Sequence, residues 1–127
     1  MQRNIKVLVV KPNELPEEKM IKNTLIAKQE IVGGDIECAY LENDDSVVLI
    51  CNEEGKMNGM PINRDIGYDM IAGNFIIAGD DYQTGEFVSL TDDQIEKYKK
   101  RFDEKSIEET NVKLSEILIK NNKVYEI

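Results

Sequence analysis

Apolar residues in this chain fall mostly into short dense runs separated by polar, glycine-containing breaks. Ile5 to Val10 (IKVLVV) is rich in β-branched residues with almost no polar interruption, the pattern of a strand buried on both faces. After a turn over Lys11 to Leu15, Pro16 suits a first helical turn, and Glu17 and Glu18 suit the positive end of a helix dipole. Met20, Ile21, Leu25, Ile31 and Val32 then recur at roughly helical spacing as far as Gly33-Gly34, where glycine can take the left-handed stop. This spacing predicts a helix from Pro16 to the glycine pair.

Asp35 to Glu42 and Ser46 to Asn52 read as two strands joined through Asn43-Asp44-Asp45, a β-hairpin. A loop centred between Asp44 and Asp45 puts Cys38 opposite Cys51, with Ile36, Tyr40, Val47 and Leu49 on the same face. Ala39, Leu41, Val48 and Ile50 then line the other face, so the second strand is apolar on both sides and belongs in the sheet interior. Ile71 to Asp80 (IAGNFIIAGD) reads as a further strand, returning through Gln83-Thr84-Gly85 into Glu86 to Leu90.

Thr91-Asp92-Asp93-Gln94 is a capping box, opening a helix whose apolar stripe is Ile95, Tyr98 and Phe102. Ser106 to Glu109 offers another such box, and Ile107, Leu114, Ile117 and Leu118 share a face, which predicts a third helix ending near Asn121-Asn122. The alternative for this tail is a hairpin, with Val112 to Ile119 turning at Asn121-Asn122 into Lys123 to Ile127. The expected fold is therefore α+β (mixed α/β): about five strands in a largely antiparallel sheet, two helices on one face, and a C-terminal helix. Residues 1–105 are expected to form a single domain, on which 106–127 docks as a helical extension.

Charge and cysteine content narrow the function. Twenty-five acidic residues against 16 basic ones leave a net charge of −9, which disfavours nucleic acid as a partner. The dense basic cluster Lys97, Lys99, Lys100 and Arg101 reads as a solvated helix face with local ion pairs. The chain has no histidine, which removes a Ser-His or Cys-His dyad within it and histidine-ligated metal. Cys38 and Cys51 read as structural thiols, facing one another across the hairpin, with a redox pair as the sharper alternative. Asp80-Asp81 lacks the spacing of a hard-cation loop and reads as a turn. No cofactor and no metal is expected. The short amino-terminal apolar run does not make a signal peptide, and no run is long enough to span a membrane; a cytoplasmic protein is expected.

The densest polar chemistry lies in Leu49 to Arg64 (LICNEEGKMNGMPINR). Gly55, Gly59 and Pro61 turn the chain sharply, the asparagine amides both donate and accept, and Arg64 carries a fork matched to carboxylate or phosphate. The candidate ligand- or partner-binding residues are Asn52, Glu53, Asn58, Asn63 and Arg64; no catalytic residue is assigned. The opposing reading makes the asparagines bonds to backbone and Arg64 the partner of a surface carboxylate.

The run ICNEEGKMNGMPINR followed by DMIAGNFIIAGDD resembles domain-of-unknown-function family 3846, over about residues 4 to 103. The residues that carry the resemblance are Asn52, Glu53 and Gly55, then Gly59, Pro61, Asn63 and Arg64, then the apolar strand ending at Gly79-Asp80. It implies a cytoplasmic α/β domain of bacterial, phage or other mobile-element origin, and no reaction. The expected function is a non-enzymatic binding protein of that type, using the Asn52 to Arg64 loop and an acidic surface to engage a small ligand or a host protein. One version is a phage inhibitor of a basic, nucleic-acid-handling host protein. The competing classes are an enzyme acting on a nucleotide or phosphorylated metabolite, with Glu53 or Glu54 as base and Arg64 as phosphate clamp, and an oligomerising structural module. A homo-oligomer is compatible with each.

Overall fold

The computed structural model describes residues 3–125, with side chains as far as Lys120. Its centre is a six-stranded antiparallel sheet in the order β2-β1-β7-β4-β3, with β8 paired to β7 where β1 no longer reaches. The strands are β1 (Asn4–Val10), β2 (Glu17–Lys22), β3 (Ile36–Leu41), β4 (Asp44–Asn52), β7 (Phe75–Asp81) and β8 (Glu86–Val88). A separate two-stranded ribbon, β5 (Ile62–Asp65) with β6 (Met70–Ala72), packs over one face. The α+β class stands, with more strands than the apolar runs suggested.

Alternation along β1, β4 and β7 divides the core into two layers. Leu8, Val10, Val47, Leu49, Cys51, Phe75 and Ile77 face one way and pack with Ile66 and Ile71 of the ribbon region, with Ile95 and Tyr98 of α2 (Asp92–Arg101) and with Phe102, which caps it. Val7, Val9, Val48, Ile50, Ile76 and Ala78 face the other way, beneath Val32 of α1 (Leu25–Val32) and Phe87 of β8. The two helices therefore cover opposite faces, not one. Strands read as buried on both sides are so because each face has its own cover.

The predicted helix from Pro16 is wrong in its first half. Residues Glu17–Lys22 pair with β1 from Asn4↔Lys22 to Val9↔Glu17. Their one buried side chain is Ile21, so the stretch is a charged edge strand, the kind that closes a sheet without inviting further pairing. The helix starts only after Thr24, whose hydroxyl accepts from the Ala27 amide at 3.1 Å. It ends where expected, with Gly33 at φ +82°.

The hairpin is present, in a different register. Cys38 pairs with Ile50, and Glu37 with Cys51, because the turn closes at Leu41↔Asp44 around Asn43 in the left-handed region and a bulge follows Ala39. The two thiols lie on opposite faces of the sheet: Cys38 is exposed and Cys51 buried. A redox pair is thereby excluded.

The run Ile71 to Asp80 is split by Gly73, at φ +79°, whose amide bonds the Pro61 carbonyl at 2.8 Å, so that β6 joins the ribbon and β7 the sheet. The capping box of α2 forms in full. The tail is one helix, α3 (Glu104–Tyr125), and not a hairpin. It begins at Asp103, whose carboxylate accepts from the Ser106 amide at 3.2 Å, earlier than the expected Ser106 box. Thr110, buried, receives the Asp65 amide at 3.1 Å and so docks α3 on β5.

Candidate functional site

Three of the five residues singled out in the sequence are spent on holding the fold. Asn63 uses both amide protons, on the carbonyls of Val10 and Gly73 at 2.8 Å each, and its oxygen accepts from Arg64 at 2.8 Å. It ties the end of β1 to the break between β6 and β7. Asn52 donates to the Val32 carbonyl at 3.2 Å and accepts the Glu54 amide at 2.8 Å, joining the end of α1 to the turn that follows β4.

Arg64 is wholly buried, at 0% exposure. Nη2 donates to the carbonyls of Glu14 at 2.6 Å and Phe102 at 3.1 Å, while Nη1 donates to those of Asn63 at 3.2 Å and Lys11 at 3.5 Å. Phe102 caps the C-terminus of α2, where the helix dipole favours a cation. Burial lowers the pKa of the guanidinium, and nearby Asp103 opposes that shift. The surface carboxylate partner expected for Arg64 is replaced by backbone carbonyls. Sequence could not reveal this, because the four carbonyls come from three separate segments.

Glu53 and Asn58 are exposed on the turn. Glu53 lines a cavity of about 260 Å³ between the end of β4, the turn and β6, together with Glu37, Glu54, Asp69 and Lys56. Cys51, Asn52, Ile71 and Ala72 form part of its wall. Asn58, Asn63 and Arg64 do not line it. Of the five candidates, then, the cavity brings together only Asn52 and Glu53. Glu37 and Asp69 were missed because they arrive from distant strands and loops, with no local motif.

The cavity's architecture is set by close backbone approaches. A side chain on Gly55 would put its Cβ 2.8 Å from the Ala72 carbonyl oxygen, so glycine lets the turn lie against β6. Met60 closes the turn by donating its amide to Gly55 at 3.0 Å. Lys56 and Asp69 form an exposed ion pair, and that bond holds the Asp69 carboxyl below its ordinary pKa. Burial pushes the Cys51 thiol up to about 11, and its S–H points at the Glu37 carbonyl, 3.7 Å away. The wall thus contributes no thiolate at neutral pH.

Two other groups of charges resolve into structure. Lys97 pairs with Asp44, Lys99 with Glu18, and Arg101 donates to the Ile66 carbonyl, so much of the basic cluster is engaged by the protein's own groups. Asp81 caps the turn amide of Gln83 at 3.1 Å. Among the described residues, no group of three or more acidic or thiol side chains is placed to hold a metal.

The architecture defines a small α+β domain: a two-faced antiparallel sheet with a helix on each side and an acidic cavity at one end. The chain belongs to the family described as domain of unknown function DUF3846, whose model matches residues 5–103. The match ends just before α3 begins. No curated protein and no solved structure matches the chain. No helix among the described residues is long and apolar enough to cross a membrane.

Proposed function

We propose that the protein is a non-enzymatic binding module of mobile-element type, whose acidic cavity accepts a basic side chain from a nucleic-acid-handling host protein. The observation that carries this reading is the lining: Glu37, Glu53, Glu54 and Asp69 against Lys56 alone. At about 260 Å³ the space is below the roughly 300–1,000 Å³ of most small-molecule sites, which favours one inserted side chain over a nucleotide. Lys56 lines the cavity in an ion pair with Asp69 that leaves about half of each side chain exposed, a contact worth under about 1 kcal/mol. An incoming lysine or arginine can displace it. The net charge of −9 steers a basic partner toward the molecule as a whole.

The enzyme alternative needs Arg64 at the cavity as a phosphate clamp. Its guanidinium is buried on Lys11, Glu14, Asn63 and Phe102 carbonyls instead. The test is fluorescence anisotropy with a lysine- and arginine-rich peptide at physiological salt. The double substitution Glu53→Lys/Glu54→Lys is expected to weaken binding at least tenfold more than the charge-matched Glu30→Lys/Glu96→Lys. Equal weakening by the two variants would mean that only net charge matters, and would remove the cavity from the reading.

A further inference from the structure

The six-stranded sheet ends in β2 on one side and β3 on the other, and the two edges differ. β2 (EEKMIK) places Glu17, Glu18, Lys19 and Lys22 in six residues, a charged edge that resists further pairing. β3 (IECAYL) carries Glu37 as its only charge and leaves Cys38 and Tyr40 exposed.

The hairpin register fixes which backbone groups that second edge leaves open. Asp35 accepts the Glu53 amide at 2.8 Å directly across the hairpin, so hydrogen-bonded pairs recur at Glu37↔Cys51 and Ala39↔Leu49. The N–H and C=O of Ile36 and Cys38 therefore point away from β4, and no other described residue bonds them. The Tyr68 hydroxyl occupies the Tyr40 carbonyl at 2.8 Å, which closes the edge beyond. The open stretch is short, and it lies at the acidic cavity, which Glu37 lines.

Side-chain direction joins edge to cavity. Glu37 lies opposite Cys51 and shares its face, toward the ribbon, whereas Cys38 lies opposite Ile50 and faces the α1 side. A strand added antiparallel along β3 exchanges hydrogen bonds with Ile36 and Cys38. Its intervening residue sits opposite Glu37, with the two Cα atoms about 4.5 Å apart, and projects to the cavity side. Among the described residues Glu37, Glu53 and Glu54 have no ion-pair partner, while Asp69 has Lys56. Met57, 86% exposed, lines the same cavity and offers apolar contact to the stem of a long basic side chain. Charge also decides between occupants. A second copy of β3 would bring Glu37 and the cavity's carboxylates toward their own kind, whereas a segment carrying a lysine or arginine matches them.

We infer that β3 accepts an extended basic segment of the partner as an added antiparallel strand, with a lysine or arginine opposite Glu37 entering the acidic cavity. This mode of docking rests on the cavity reading above and adds a backbone register to it. Main-chain bonds at Ile36 and Cys38 hold the segment, and one basic side chain selects it.

The test titrates the full chain into the labelled peptide acetyl-Thr-Val-Thr-Arg-Thr-Val-Thr at physiological salt and reads fluorescence anisotropy. N-methylation of the two threonines that flank the arginine is expected to weaken binding at least tenfold, and N-methylation of the arginine itself to leave it within about twofold, since that amide faces away from β3. Cys38→Pro removes an outward N–H and leaves the β3–β4 ladder intact, so it should weaken binding equally with an unchanged urea midpoint. Should that variant fold poorly, the methylated peptides carry the test alone. Equal binding of all three peptides, still weakened by Glu53→Lys/Glu54→Lys, overturns the added strand and keeps the cavity. The reverse methylation pattern means a parallel strand and overturns the register. A methylation pattern indifferent to Glu53→Lys/Glu54→Lys keeps the added strand and removes the cavity. A wild-type dimer that Cys38→Pro dissolves assigns the edge to self-pairing and overturns the inference, as does a wild-type chain that binds the lysine- and arginine-rich peptide but not this one.

Discussion

Arg64 is the residue whose meaning depends most on its surroundings. A guanidinium in a glycine- and asparagine-rich loop suggests an anion clamp, yet here its donors gather the backbone of the β1–β2 connection, of β5 and of the α2 terminus. Replacing it by methionine removes a buried charge, which by itself costs little, but leaves the Lys11, Glu14 and Phe102 carbonyls without this donor. Arg64→Met is therefore expected to lower unfolding free energy by more than about 3 kcal/mol in urea titrations. Arg64→Lys should fall in between, because one ammonium cannot span that fan of acceptors. A full-stability Arg64→Met variant would return the side chain to the candidate ligand groups. The cysteines give a second residue-scale expectation. Cys38 is exposed and Cys51 buried with its pKa near 11, so a thiol reagent should titrate one sulfhydryl in the native protein and the second only on denaturation.

Between elements, Asp44 makes a clasp from the start of β4 to α2. Its carboxylate accepts from Ser46, from Lys97 at 3.1 Å and from the Tyr98 hydroxyl, while Gln94 of the capping box donates to the Ser46 hydroxyl at 3.0 Å. Burial alone would raise the Asp44 pKa; these donors outweigh it and hold the carboxyl well below the usual range. Its folded pKa lies below its unfolded one, so its stabilisation is complete above about pH 4 and is lost as pH falls further. Asp44→Ala should cost about 2 kcal/mol at pH 7 by chemical denaturation and progressively less in acid. A cost independent of pH would assign the clasp to packing alone. Gly73 governs a different junction, since its positive φ sends β6 to the ribbon and β7 to the sheet. Gly73→Ala should destabilise by about 1–2 kcal/mol, with the Met60 sulfur, 2.8 Å from the new Cβ, forced to move.

For the molecule as a whole, acidity sets the behaviour in solution. Carboxylates at Asp44, Asp65 and Asp69 are each held below their ordinary pKa by hydrogen-bonded partners, so acid removes stabilisation at several places together. The net charge also vanishes near the sequence pI of 4.6. Turbidity scanned against pH should peak close to that value, and thermal stability should fall below about pH 4.

What the chain determined by itself were the features carried by neighbouring residues: the doubly buried β1 and β4, the apolar strand that became β7, the glycine stop of α1, the Thr91 capping box and the helical tail. Local chemistry also marked residues 52–64 as unusual. Tertiary structure decided the rest, because it turned on which distant partner was nearest. Glu17–Lys22 became a strand since β1 offered an open edge; the cysteines parted because a bulge and Asn43 moved the register. The candidate site contracted to a cavity lined by Glu37, Glu53, Glu54 and Asp69, which share it only because β3, the 53–57 turn and the approach to β6 meet. Hydrogen bonds from Asn63 and Arg64 reach across as many as 53 positions of sequence, and no local pattern encodes where such bonds will end.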